Sequence, residues 1–136
     1  MKNDILYPRL TAQQLHTNTK VLVVDDEEDI RSLGEMMLSD EGYGVLTAKN
    51  AGEAITQAEE GKPDIILMDI VMPGRNGFDV CKMLKFKPST KHIPVIMFSA
   101  LGRDVDREMA EEAGADDYIT KPFDKEDLLQ TIKKYT

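Results

Sequence analysis

The sequence predicts a doubly wound α/β domain, a five-stranded parallel sheet with helices on both faces. Two observations carry that prediction. Short, near-continuous aliphatic runs recur five times along the chain, as expected of strands buried on both faces. Between them lie amphipathic stretches of helical period, and strand alternating with helix implies parallel strands joined by crossover helices. The 136 residues fit one domain, large enough to bury a real core.

Residues 1–19 are polar and weakly patterned, and read as an N-terminal extension or linker. Thr11 with Gln14 could alternatively box the start of a short helix. The domain proper is expected over 20–136. "VLVV" at 21–24 is a β-branched run that ends in acids, a first strand. Over 29–41, Ile30, Leu33, Met37 and Leu38 recur at helical spacing until Gly42 stops them. "YGVLTA" at 43–48 is the second strand. Ala51, Ala54, Ile55 and Ala58 form a small-residue helix face, closed by Gly61 and Pro63. "IILM" at 65–68 is the third strand, and Phe78, Cys81 and Leu84 mark a helix that ends before Pro88. "PVIMF" at 94–98 is the fourth strand, followed by a helix carrying Val105, Met109 and Ala113 and stopped by Gly114. "DYIT" at 117–120 is the fifth, and Leu128, Leu129, Ile132 and Tyr135 mark the last helix. Right-handed crossovers and five strands select the flavodoxin-like order 2-1-3-4-5.

Composition narrows the function. The chain has 17 basic and 25 acidic residues, a net charge of −8, which disfavours direct nucleic-acid or membrane binding. A single cysteine, Cys81, allows no internal disulfide and fits a reducing compartment. No apolar run approaches the ~20 residues of a membrane span and no leader pattern opens the chain, so a cytoplasmic location is expected.

Particular polar residues fall at strand ends. Asp25 and Asp26 follow the first strand, Asp69 ends the third, Ser99 the fourth, and Thr120-Lys121 the fifth. Parallel strands put all these ends on one edge, where open α/β sheets carry their ligand sites. Singly, the acids could merely favour a helix N-terminus or a turn, Ser99 could cap a helix, and Lys121 could be solvated. Together they form a set. Three carboxylates repel one another, and a hard divalent cation such as Mg2+ relieves this through oxygen ligands. His16 and His92 are not at strand ends, which argues against zinc or copper. Cys81, Met37, Met83 and Met109 read as core. A metal, a lysine and a hydroxyl around a carboxylate nucleophile fit formation of an aspartyl phosphate.

The motifs "VLVVDDEEDIR", "IILMDIVMPGRNGFDV", "VIMFSA" and "GADDYITKPF", in that order, resemble the receiver domains of two-component response regulators, of the chemotaxis-protein type. The resemblance runs from about Lys20 to Tyr135. It implies that Asp69 accepts a phosphoryl group from a sensor histidine kinase or a histidine phosphotransfer protein. It implies that Asp25, Asp26, Asp69 and the backbone carbonyl of Val71 hold Mg2+, with Mn2+ able to substitute. Ser99 would be the switch hydroxyl and Lys121 the phosphoryl partner, its bond to Pro122 usually cis. Tyr118 would swing inward with Ser99, although alone it reads as a partly buried strand residue with a polar tip. The helix 4, strand 5 and helix 5 face would then change and control a downstream protein. The chain would be a switch that catalyses only its own phosphorylation and slow autodephosphorylation.

Some positions carry chain-specific meaning. Val71 and Leu101, two residues beyond Asp69 and Ser99, flank the phosphoryl position in this family, and neither can orient a hydrolytic water. A long-lived phosphate is expected. The chain ends soon after the last predicted helix, as in a stand-alone receiver or a piece of a protein with an output domain. Thr131 stands where the transcription-factor branch often has a dimer-forming arginine, which weakens that mode of pairing. The alternative function is a haloacid dehalogenase-like phosphatase with Asp69 as nucleophile, but its acid/base Asp is replaced by Val71. A flavin module would need a hydroxyl- and glycine-rich loop where "DDEED" stands. A degenerate scaffold would not keep the full set of site residues.

Overall fold

A computed structural model describes residues 19–99 and 104–136, so Thr11, Gln14 and Leu101 lie outside the described residues. Among the described residues, five strands and five helices alternate: β1 (Lys20–Val24), α1 (Glu28–Asp40), β2 (Gly44–Ala48), α2 (Ala51–Glu60), β3 (Ile65–Asp69), α3 (Gly77–Phe86), β4 (Val95–Ser99), α4 (Asp104–Glu112), β5 (Asp117–Thr120) and α5 (Lys125–Lys133). The sheet is parallel throughout, in the order β2-β1-β3-β4-β5, as the sequence predicts.

Side chains on a strand alternate faces, and that alternation sorts the core into two layers. Leu22, Val24, Ile66, Met68, Val95 and Met97 pack under α2, α3 and α4, against Ala54, Ala58, Phe78, Cys81, Leu84, Ala110 and Ala113. Val21, Val23, Ile65, Leu67, Ile96 and Phe98 pack on the other side against Leu38, Leu128 and Ile132 from α1 and α5. The three middle strands β1, β3 and β4 are thus buried on both faces. Helix starts are chemically specified. Asn50, Asn76 and Asp124 accept the N–H of Glu53, Asp79 and Asp127 at 2.8, 3.0 and 2.8 Å. No described helix is long and apolar enough to cross a membrane.

Two expectations about helix faces are corrected. Asp106 and Ala110 of α4 and Ala113 just after it are buried, while Val105 and Met109 are 49% and 43% exposed. The helix turns its small residues to the sheet, so the larger apolar pair points outward, and Met109 is not core. In α1, Leu33 is likewise exposed, although Ile30 and Met37 pack as expected.

Candidate functional site

The site forms at the carboxyl edge of β1, β3, β4 and β5. Asp25 follows β1 and extends its ladder, its N–H donating to the carbonyl of Ala48 at 3.1 Å. Its side chain is fully buried. Oδ1 accepts the N–H of Glu27 at 2.9 Å, Oδ2 accepts Lys121 Nζ at 2.8 Å, and the Asp25 carbonyl accepts Nη1 of Arg31 at 2.8 Å. Asp25 is therefore fixed on all sides, whereas Asp26 is exposed. Glu27 is the N-cap of α1, and its side chain makes no capping bond.

Asp69 closes β3 opposite Phe98 of β4. Although it stands at the crevice edge, Asp69 is buried, only 4% exposed. The start of α3 packs against the Asp69 backbone. Gly77 donates its N–H to the carbonyl of Ile70 at 2.7 Å, and a Cβ at Gly77 would overlap the Asp69 carbonyl oxygen. That glycine is a site residue that sequence reasoning missed; the cue was its place at the start of a helix after Asn76. Lys121 Nζ lies 3.4 Å from Asp69 Oδ1, nearer to Asp25 than to Asp69. The same ammonium sits 4.7 Å above the Phe98 ring, and the Lys121 N–H donates to the Ser99 carbonyl at 2.7 Å. The Lys121–Pro122 bond is cis.

The electrostatics follow from this packing. Burial first, and then the charge of Asp25, push the Asp69 carboxyl up to about 6, against the opposing pull of Lys121 and a hydrogen bond from the Val71 backbone N–H. Burial alone would lower the Lys121 ammonium, but its hydrogen bond to Asp25 and the charges of Asp69 and Asp25 outweigh it and raise it above its ordinary value. One cation thus serves two buried acids, with Asp26 close by. An oxygen of each of Asp25, Asp26 and Asp69 lies within 4.8 Å of the others. A donor set made only of carboxylates, short of positive charge, fits a hard divalent cation and not a soft one.

The remaining expected residues fall around this centre. Ser99 ends β4 opposite Thr120, and is buried. The Val71 side chain is 61% exposed, and Val71 meets the centre through its backbone. Tyr118 of β5 is already turned into the core beneath α2–α4. Arg107 of α4 covers it from outside, its guanidinium carbon 4.7 Å from the ring centroid. No feature of the sequence marked Arg107, a cation among acids on a surface helix.

The family model for the response regulator receiver domain matches residues 21–133. Over 115 residues the chain is 44% identical to the transcriptional regulatory protein ResD of Bacillus subtilis, covering 85% of this chain and 47% of that protein. The chain therefore spans about half the length of that curated relative. Its fold matches the chemotaxis protein CheY4 of Vibrio cholerae with a TM-score of 0.83 and 32% identity, over 87% of this chain and 98% of that one. A CheY-like response regulator receiver domain protein of Methanospirillum hungatei matches with a TM-score of 0.78 and 32% identity, over 85% and 91% of the two chains.

Proposed function

This chain belongs to the response regulator receiver family, and we propose that within it Asp69 is the phosphoacceptor of a two-component signalling switch. The observation that carries the proposal is the buried Asp25–Asp69 pair bridged by one lysine, with Asp26 beside it. A structural role would pair each acid with its own donor.

Asp25, Asp26, Asp69 and the Val71 carbonyl would hold Mg2+, or Mn2+ in its place. When bound, the ion neutralises acid charge and the oxygens of the transferred phosphoryl group. An Asp69 carboxylate oxygen attacks phosphorus as the P–N bond to a histidine of the donor protein breaks, and the bond's electron pair leaves with the imidazole. Lys121, held between Asp25 and Asp69, takes up negative charge on the phosphoryl oxygens, and the Ser99 hydroxyl hydrogen-bonds one of them. The donor is a histidine kinase or a phosphotransfer protein. The added charge draws Ser99 toward the site and changes the face of α4, β5 and α5, with Tyr118 fixed in the inward position that it already occupies. The exposed Val105 and Met109 on α4 support that face as the surface read by a downstream protein or an output domain. Val71, apolar and open to solvent, offers no group to orient water, so the aspartyl phosphate persists for minutes or longer in Mg2+ buffer; loss within seconds contradicts this.

Acetyl phosphate with Mg2+ tests the assignment. One phosphoryl mass should add to the intact chain, and chelation or Asp69→Asn should abolish it. An undiminished adduct in Asp69→Asn overturns Asp69 as acceptor.

A further inference from the structure

We infer that Arg107 is a positioning residue for this switch, holding the Tyr118 ring inward so that the chain is biased toward the phosphorylated arrangement before phosphate arrives. The inference rests on the reading of Tyr118 given above. Two independent contacts support it. The Arg107 guanidinium carbon stands 4.7 Å from the Tyr118 ring centroid, within cation–π range. Nη2 of the same guanidinium donates to Thr120 Oγ1 at 3.3 Å. Arg107 therefore spans from α4 across the side chain of one β5 residue to the hydroxyl of another, two positions on.

The placement matters more than the contact energy. Thr120 immediately precedes Lys121 and is opposite Ser99 in the sheet register. Arg107 thus ties α4 to the strand that delivers the lysine, while its guanidinium lies over the aromatic that must stay inward. A groove of about 290 Å³ beside it is lined by Ala110, Glu111, Ala115, Asp116 and Asp117. Tyr118 borders this groove and a second one beside Pro122, Asp127 and Thr131, so an outward-swung ring has room to leave the core. A guanidinium over the ring opposes that departure, and a residue without a cation or a flat surface would not.

Coupling between two sites is reciprocal. If Arg107 stabilises the inward ring, and the phosphorylated arrangement requires it, then removing Arg107 must weaken the binding of a phosphoryl analogue at Asp69. A residue that merely shields β5 would alter thermal stability and leave that affinity alone.

The test uses the whole chain labelled with 3-fluorotyrosine, the Tyr118 resonance being assigned with Tyr118→Phe, in wild type, Arg107→Gln and Arg107→Lys. Beryllofluoride with Mg2+ is the probe of the Asp69 site, titrated calorimetrically. Arg107→Gln should shift the Tyr118 fluorine resonance in metal-free protein and weaken beryllofluoride binding about two- to fivefold. Arg107→Lys, which keeps the cation, should retain most of both. An unmoved resonance in Arg107→Gln, unchanged or tighter beryllofluoride binding, or a lysine variant as impaired as the glutamine one, each overturns the inference. If wild type binds no beryllofluoride, the reading of Asp69 fails, and the resonance alone then decides whether Arg107 holds the ring.

Discussion

At the amino edge of the sheet, Asp116 Oδ2 accepts Lys85 Nζ at 2.9 Å and the N–H of Val95 at 2.8 Å, and Asp64 Oδ2 accepts the N–H of Lys20 at 2.8 Å. At the carboxyl edge, Asp25 and Asp69 share one ammonium, which stands 2.8 Å from the first and 3.4 Å from the second. Both edges are built from the same strands and from the same residue type. At one, each acid has its own donors and fastens a strand to a helix or turn. At the other, the acids are buried faster than they are neutralised, and Asp69 titrates near 6 as a result. The difference separates carboxylates with donors of their own from a carboxylate cluster short of positive charge, as the proposed cation and phosphoryl site requires.

The strongest test of the comparison asks whether the carboxyl edge is tightly built despite its unmet charge. Gly77 lies against the Asp69 carbonyl, and a Cβ there would meet both that backbone and the end of the Met97 side chain. Gly77→Val should destabilise the fold by about 3 kcal/mol, measured by urea unfolding. A tolerated valine would mean that the edge is loose and that the burial of Asp69 is incidental.

Asp69→Asn comes next, and its effect has the opposite sign. The folded Asp69 carboxyl is pushed up to about 6 from its ordinary value of 3.8, so between those values the folded chain binds more protons than the unfolded one. Its contribution is most favourable below about pH 4 and declines as pH rises through 6. At pH 7 in chelator, Asp69→Asn should therefore stabilise the chain, by at most about 3 kcal/mol. The gain should vanish at pH 4, where the acid is already neutral. Added Mg2+ should stabilise wild type more than the variant. A variant less stable than wild type at pH 7 would place Asp69 with the structural acids.

The sheet order and the converging strand ends were legible because parallel strands leave no choice of edge: once "VLVV", "IILM" and "PVIMF" are strands, Asp25, Asp69 and Ser99 must meet. What lay beyond reach depends on distances between elements. Val105, Met109 and Ala113 match a buried helical stripe, yet α4 lies on the sheet through Ala110 and Ala113, and large side chains would hold it away. Nothing in "IILMD" alone says whether its acid faces water, since that depends on the elements packed around the strand end, and the close approach of Gly77 to the Asp69 backbone shows only once α3 is placed. Arg107 was illegible for a related reason. Its partners lie on another element, and a lone cation on an acidic helix looks solvated until β5 is placed beneath it.

Asp116→Ala gives the smallest effect and the sharpest contrast with Asp69→Asn, because it too removes one carboxylate from a sheet edge. Here the acid joins α3 to β4 through Lys85 and the Val95 N–H, and its own backbone carbonyl receives the Tyr135 hydroxyl at 2.8 Å. Removing the side chain leaves the Val95 N–H, at the start of a buried strand, without its acceptor, while Lys85 keeps the Ile93 carbonyl at 2.8 Å. One hydrogen bond to a charged group is lost and the partly exposed ion pair adds little, so the loss should be about 1–2 kcal/mol. It should be independent of Mg2+, since no proposed ligand is touched. Opposite signs for the two substitutions at pH 7 in chelator would show that the edges differ in how their charge is met; equal signs would reduce the contrast to local packing.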